Sequence, residues 1–344
     1  MRIILLIFVL IIAVTACRDA SEPLAIAPRG MVWLPSAEFE QGAQSFDEMA
    51  QAHEKPTHTV KVDGFFIDST EVTNASFKAF TDATGYITVA ERPIDWEELK
   101  KQLPPDTPRL ADSLLKPGSL VFRQDIQKLH DHHNIWQWWE WKTGANWRHP
   151  AGPESNIDGK DNYPVVHIAY ADALAYCKWK GHRLPTEAEW ERAAHAKLLK
   201  SVFTWGDDID KSEQYANTWQ GEFPVLNLAE DGYIYAAPVA SYPPNGAGIY
   251  DMAGNVWEWT SDWYNHNYYL SVAGKTLLNP EGASEPNNLQ YPHQKEKVIK
   301  GGSYLCHASY CASFRISARM AMAIDSGSDH LGFRTVYSPP LVRF

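Results

Sequence analysis

The sequence predicts an α+β domain with little regular secondary structure, and three observations carry that prediction. Short period-two runs and short amphipathic runs mix in the first part of the chain. Beyond residue 200 the periodicity gives way to turn chemistry, in Pro243-Pro-Asn-Gly-Ala-Gly, Ala253-Gly-Asn and Gly301-Gly302. No low-complexity stretch divides residues 30–337, so they read as one domain. The chain has 344 residues, 44% hydrophobic and 21% charged, the balance of a folded globular protein. Its formal net charge of −11 argues against phosphate-backbone binding, which needs clustered Lys and Arg. The 14 Trp and 16 Tyr read first as core packing in a loop-rich fold and second as a groove for an extended peptide or sugar.

The elements follow in order. Arg2 and the aliphatic run Ile3–Val14 form a secretory signal, too short for a comfortable membrane span. Val14-Thr15-Ala16-Cys17 resembles a bacterial lipoprotein cleavage box. That resemblance implies a signal peptide over 1–16, a lipidated Cys17, a tether over 17–29 and a lipid-anchored place in the cell envelope, periplasm-facing on the inner or outer membrane. Met31-Val-Trp-Leu opens the domain as a strand, and His58–Asp68 has period-two patterning. A helix is expected from Thr73 to Thr84, stopped by Gly85. Residues 86–160 read as irregular, and His130-Asp131-His132-His133 reads as a solvated loop rather than a metal site. His167–Lys180 reads as an amphipathic helix carrying Cys177. A second helix starts at Thr186, with Glu189 completing a capping box.

Two acidic loops and one cysteine pair carry chemistry. Asn217 and Asp231, with carbonyls nearby, are oxygen donors suited to Ca²⁺. So are Asp251 and Glu258, with the Gly254 and Val256 carbonyls between them. Spacing alone leaves both loops open to the plainer reading of solvated acids. With Cys17 anchored, Cys177, Cys306 and Cys311 remain, an odd number that leaves at least one thiol outside any intramolecular disulfide. Gly301-Gly-Ser-Tyr-Leu-Cys-His-Ala-Ser-Tyr-Cys311 places two cysteines four apart. A structural disulfide comes first on spacing, and a two-thiolate Cu(I) site open to a third sulfur is the alternative.

Several segments together resemble the formylglycine-generating enzyme (sulfatase-modifying factor) family. They include GMVWLPSAEFEQG, DSTEVTN, GANWRHPAGPES, RLPTEAEWERAA, PPNGAGIYDMAGNVWEWTSDWY and GGSYLCHASYC, and they span nearly all of residues 30–337. The resemblance implies a C-type-lectin-like variant fold. It implies O₂-dependent oxidation of a cysteine, in the Cys-x-Pro-x-Arg motif of an unfolded sulfatase, to Cα-formylglycine, by a monomer. It further implies Cu(I) held by Cys306 and Cys311, with Ser303 and Trp257 lining the oxygen side. Arg319 and His330 become substrate-side residues, with a structural salt bridge the equal alternative for Arg319. The two acidic loops become Ca²⁺ sites: Asn217, Thr218, Asp231 and Tyr233, then Asp251, Gly254, Val256 and Glu258. A non-catalytic binding or structural lipoprotein of the same fold is the alternative function, and such a protein needs neither Cys306 nor Cys311. Two disulfides of animal relatives fall here on Ala194 with Ile316 and on Cys177 with Thr335, so Cys177 is expected to be a buried free thiol. His330 stands where close relatives carry Asn, which implies a change in pocket shape or pH response.

Overall fold

A computed structural model describes residues 27–339 except 124, 130, 132 and 133. The signal segment, Cys17, most of the tether and three of the clustered histidines lie outside the described residues.

Met31–Leu34 (β1) pairs antiparallel with Phe65–Asp68 (β4), Trp33 opposite Phe66, and Val336–Tyr337 (β14) pairs with the other edge of β4. The two ends of the domain therefore meet in one sheet. Ala37–Gln41 (β2) pairs antiparallel with His58–Val62 (β3), and Thr276–Leu278 (β10) adds parallel to β3. The period-two run 58–68 is thus two strands in two sheets. The break falls at Asp63-Gly64, where a Cβ on Gly64 would stand 2.4 Å from the Trp33 ring.

The helix Asn74–Thr84 (α1) has the predicted stops. Thr73 Oγ1 accepts from the Ser76 amide at 3.2 Å, and Gly85 closes the helix with φ +66°. Residues 86–160 are more ordered than their composition implied. They hold a short helix, Trp96–Leu99 (α2), and an antiparallel pair, Gly118–Phe122 (β5) with Trp139–Thr143 (β6), in register Leu120 opposite Trp141. Tyr170–Lys180 (α3) starts later than expected. His167 has φ +61°, which no helix admits, and its buried ring lies 2.8 Å from the Pro150 carbonyl. Glu187–His195 (α4) is buried along its whole length and carries the capping box, Glu189 N to Thr186 Oγ1 at 3.2 Å and Thr186 N to Glu189 Oε2 at 2.9 Å.

A small hairpin, Gly221–Glu222 (β7) with Leu226–Asn227 (β8), precedes the central sheet. That sheet contains Trp257–Trp263 (β9), Glu296–Lys300 (β11), Met320–Ala323 (β12) and Leu331–Gly332 (β13), in the order β12-β11-β9-β13. β9 and β11 run antiparallel, and β13 runs parallel to β9. This topology brings the start of β9, the segment after β11 and the segment before β13 to one place. Those three carry Trp257, the Gly301–Cys311 loop and His330.

Buried ion pairs tie the loops to this core. Arg315 holds Glu54 and Asp47 at 2.7 Å, Arg334 holds Glu258 at 2.7 Å, and Lys300 holds Glu191 at 2.8 Å. Removing one partner of such a pair costs about 3–5 kcal/mol, because the other charge stays buried. Arg319 belongs to this set. Its Nε and Nη2 donate to Glu187 at 2.7 and 2.8 Å, and its Nη1 donates to the His53 and Asn265 carbonyls. The substrate-side role for Arg319 is therefore corrected: the guanidinium is fully buried and bonded within the fold, and the salt bridge is its function.

Candidate active site

The loop after β11 begins with Gly301 and Gly302, at φ +94° and +71°. A Cβ on Gly302 would meet the Phe314 amide nitrogen at 2.8 Å, so the tight return of this loop requires glycine. The turn carries Cys306 into the core, where it is 3% exposed, and leaves Cys311 half-buried against the same cluster. The two thiols are hydrogen-bonded to each other and form no disulfide. The bond from Cys306 pushes Cys311 down to about 7, while burial pushes the Cys306 thiol well up. One sulfur is thus poised as thiolate and the other as its donor. A disulfide, first on spacing, is not what the loop forms.

Ser303 is fully buried beside the pair. Its Oγ accepts from the Leu305 amide at 3.2 Å, lies 2.8 Å from His330 Nδ1 and hydrogen-bonds the Cys306 sulfur. His330 packs on Trp139, with ring centroids 4.8 Å apart, and its carbonyl accepts from the Trp257 amide at 2.8 Å. Burial pushes the His330 imidazole down to about 3, so the ring is neutral across the physiological range. His330 therefore acts here through the shape and hydrogen bonding of a neutral ring. Trp257 is buried in the cluster that holds Cys306. His307 turns away from the pair and bonds Ser309 within its own loop. Trp138, Phe223 and Tyr310 form a contiguous aromatic wall over the thiol loop, Phe223 and Tyr310 stacked at 4.7 Å. Tyr310 remains exposed at this face, as does Tyr235, whose ring lies 6.3 Å from that of Tyr304.

Among the described residues no group of three or more His, Cys, Asp or Glu side chains is placed to hold a metal. A cation would rely on the two sulfurs, or on carbonyl and amide oxygens. The sulfurs suit a soft, low-coordinate ion. In the first acidic loop the Thr218 carbonyl, the Thr218 hydroxyl and Asp231 Oδ2 converge on Gln220 Nε2, and Asn217 Oδ1 is buried with no donor. Asp231 also accepts the Thr218 and Tyr233 amides, at 2.9 and 3.0 Å. Converging oxygens with one orphaned acceptor fit a hard cation.

In the second loop Asp251 has φ +56° and accepts the Ala240 amide at 2.7 Å. Gly254 has φ +76°, and a Cβ there would lie 2.1 Å from the Asn217 carbonyl oxygen. Val256 is fully buried. Glu258 is already engaged, with both oxygens on Arg334 and one on Trp190 Nε1. The open acceptor is Glu71 Oε2, a residue of the DSTEVTN segment that spacing did not single out. Asn255 bridges Glu71 Oε1 and Asn217, so the two loops share one buried network. Glu71, Asp251 and Glu258 face one guanidinium. Burial first, then the Asp251 charge, pushes Glu71 well up. That surplus of negative charge also fits a cation.

The chain matches the sulfatase-modifying factor enzyme 1-like domain over residues 19–339. It belongs to that family. It is 41% identical to the formylglycine-generating enzyme of Mus musculus, over 91% of this chain and 76% of that protein. Against the formylglycine-generating enzyme of Streptomyces coelicolor the identity is 42%, over 89% of this chain and 88% of that one. An inactive C-alpha-formylglycine-generating enzyme 2 of Bos taurus is 36% identical, over 88% and 86%. PvdO from Pseudomonas aeruginosa superposes with a TM-score of 0.59 at 23% identity, over 89% of this chain and 93% of that one, a likeness of fold. Sulfatase-modifying factor domains thus include active and inactive members, and the side chains at the site must separate them.

Proposed function

We propose that this chain converts a cysteine of a sulfatase polypeptide to formylglycine, at Cys306 and Cys311. The carrying observation is the hydrogen-bonded thiol pair on a glycine-hinged loop, set in a domain 41% identical to the formylglycine-generating enzyme of Mus musculus. In the overall change the substrate Cβ–S bond and one Cβ–H bond break, a C=O bond forms and sulfide leaves. The substrate yields two electrons, an external thiol reductant yields two, and O₂ takes all four and ends as water. Cu(I) held by Cys306 and Cys311 would supply the O₂ chemistry and an acidified site for the substrate thiol.

This chain's own residues do the rest. In the metal-free pair a hydrogen bond joins Cys306 and Cys311, and both sulfurs would give up their protons to hold the metal. Ser303 and the neutral His330 fix the orientation of Cys306. Trp257 and the aromatic wall exclude water from the sulfurs. The exposed Tyr310 and Tyr235 beside the thiol loop suit an extended, unfolded polypeptide. Calcium at the two acidic loops, and anchorage of the domain in the cell envelope through Cys17, belong to the same proposal. Among the described residues no helix is long and apolar enough to cross a membrane.

The test is mass spectrometry of a Cys-x-Pro-x-Arg peptide incubated with the copper-loaded protein, O₂ and reductant. The expected product has the mass of a peptide whose CH₂SH side chain has become CHO. No conversion with copper verified as bound rejects the reading and favours a binding module of the same fold.

A further inference from the structure

A cavity of about 670 Å³ opens at the end of the central sheet away from the thiols. β9 begins with Trp257 at the candidate site, and its far end, Ser261 and Trp263, lines this cavity. β11 runs the other way, from Lys297 in the cavity wall to Lys300, after which the thiol loop begins. At about 3.3 Å per residue the length of β9 sets the two places roughly 20 Å apart. A small molecule in the cavity therefore does not touch the sulfurs.

One cation of the wall has no anion. Lys297 is 7% exposed, and its ammonium lies 3.7 Å from the centre of the Trp263 ring and 5.0 Å from that of Tyr170. Of its three N–H donors one meets an oxygen of the fold, the Ser261 carbonyl at 2.7 Å. Among the described residues it forms no salt bridge. The nearby acid, Asp262, is turned to the Glu187 amide at 2.8 Å and the Ser261 hydroxyl at 3.2 Å. Burial pushes the Lys297 amine down to about 8, and the Asp262 charge only partly opposes it. The other cation of the wall, Arg183, is already neutralised by two bonds to Glu189 at 2.6 Å.

The exposed lining has the opposite character. Asp63 and Glu281 are exposed there and, among the described residues, neither has a salt bridge. Asp63 Oδ2 accepts from Asn279 Nδ2 at 2.9 Å, and Ser284 is exposed beside them in the lining. A polyanion would meet two acids here, and a simple cation would meet Lys297. The wall selects a ligand with one carboxylate and several uncharged donors. Its volume lies in the range of about 300–1,000 Å³ usual for small-molecule sites, too small for a folded partner.

We propose that this cavity binds a saccharide carrying a single carboxylate, a uronic-acid sugar, with Lys297 as counter-charge to the carboxylate and Asp63, Asn279, Glu281 and Ser284 as partners of the ring hydroxyls. The site is separate from the thiol-oxidising reading above and does not rest on it. A hydroxyl both donates and accepts, so it satisfies the carboxylates that would repel a second anion. Val62, Leu174 and Trp263 supply apolar wall for the C–H groups of the sugar rings.

The experiment measures binding by calorimetry. The protein is titrated with a trisaccharide ending in glucuronate, with its galacturonate counterpart, and with the methyl ester of each. The ester keeps the shape and removes the charge. At least one acid is expected to bind, and to be preferred over its own ester by about tenfold, the value of one charge-assisted hydrogen bond. Lys297→Met keeps an apolar stem between the Trp263 and Tyr170 rings, removes the ammonium, and should bring that ratio close to one. No binding of either acid, equal binding of acid and ester, or an unchanged ratio in the folded variant overturns the site. A second readout needs no variant. Acetic anhydride labels the Lys297 amine, and mass spectrometry of the digested protein should show that saturating acid suppresses the label. Undiminished labelling overturns the site. Protection by a tetrapeptide with a free C-terminal carboxylate, and not by either saccharide, would give the cavity to a peptide end and reject the sugar.

Discussion

Cys177 and Cys311 are both cysteines outside any disulfide, and they sit in opposite chemical worlds. Cys177 lies on α3 among the packed side chains of the main core, 2% exposed, where burial first and then the Asp68 charge push its thiol up to about 12. Thr335, the position that the family resemblance pairs with it, donates its hydroxyl to Asp68 at 2.6 Å. Cys311 sits half-buried on an irregular loop, where a second thiol donates to it and pushes it down. The difference shows that a buried thiol without a thiol neighbour is a filler, whereas a neighbouring donor favours a thiolate. Cys306 complicates the contrast. It is buried with the core like Cys177, yet bonded to Cys311, so it belongs to both regions.

The comparison can be broken first by alkylation, where the largest effect is expected. The thiolate is the reacting form, and each pKa unit is a tenfold change in thiolate fraction near neutral pH. In metal-free protein Cys311 should therefore react with iodoacetamide more than about a thousandfold faster than Cys177. Because Cys311 is pushed down to about 7, its rate should climb as pH rises through that value and then level off. Peptide mapping reads both sites, and comparable labelling of Cys177 in folded protein would erase the contrast.

Turnover sharpens it next. Cys311→Ser should reduce peptide conversion to background with the melting curve nearly unmoved. Cys306→Ser should do the same and also lower the melting temperature, since Cys306 lies in the core rather than on a free loop. Residual conversion in either variant would remove the pair from the chemistry. A smaller effect is expected at the other pole: Cys177→Ala should cost about 1–2 kcal/mol by denaturant unfolding, through the cavity it leaves, while conversion is retained. Complete loss of activity there would show that the two regions are coupled. The smallest effect concerns the acidic loops. Chelation of Ca²⁺ should lower the melting temperature by several degrees while copper-dependent conversion, measured below that temperature, persists. An unmoved melting curve would mean that the Asn217 and Glu71 acceptors are simply hydrated.

Much of the local structure was legible in the residues. Thr73 and Gly85, and Thr186 and Glu189, act through neighbours three or four positions away, so a reader of the chain can see both halves of each interaction. The thiol pair was legible as residues, but its state was not. Spacing favoured a disulfide, and the folded loop makes a hydrogen-bonded dithiol. His167 was misread because its apolar neighbours continue a helical pattern that its own positive φ forbids. Glu71 was missed because an acid in a sequence announces a solvated side chain, and only the fold shows that it is buried beside Asp251.

By itself, the sequence determined the helix caps, the obligatory glycine turns, the supply of thiols and the membership of the family. Each of these rests on the chemistry of a residue and its near neighbours. The tertiary structure decided which charge lies beside which. It buried Arg319 against Glu187, 132 positions away, and set Asp329 against the Phe122 amide, 207 positions away. Desolvation and ion pairing depend on segments far apart in the chain, and their magnitude is set only when packing removes the water between them.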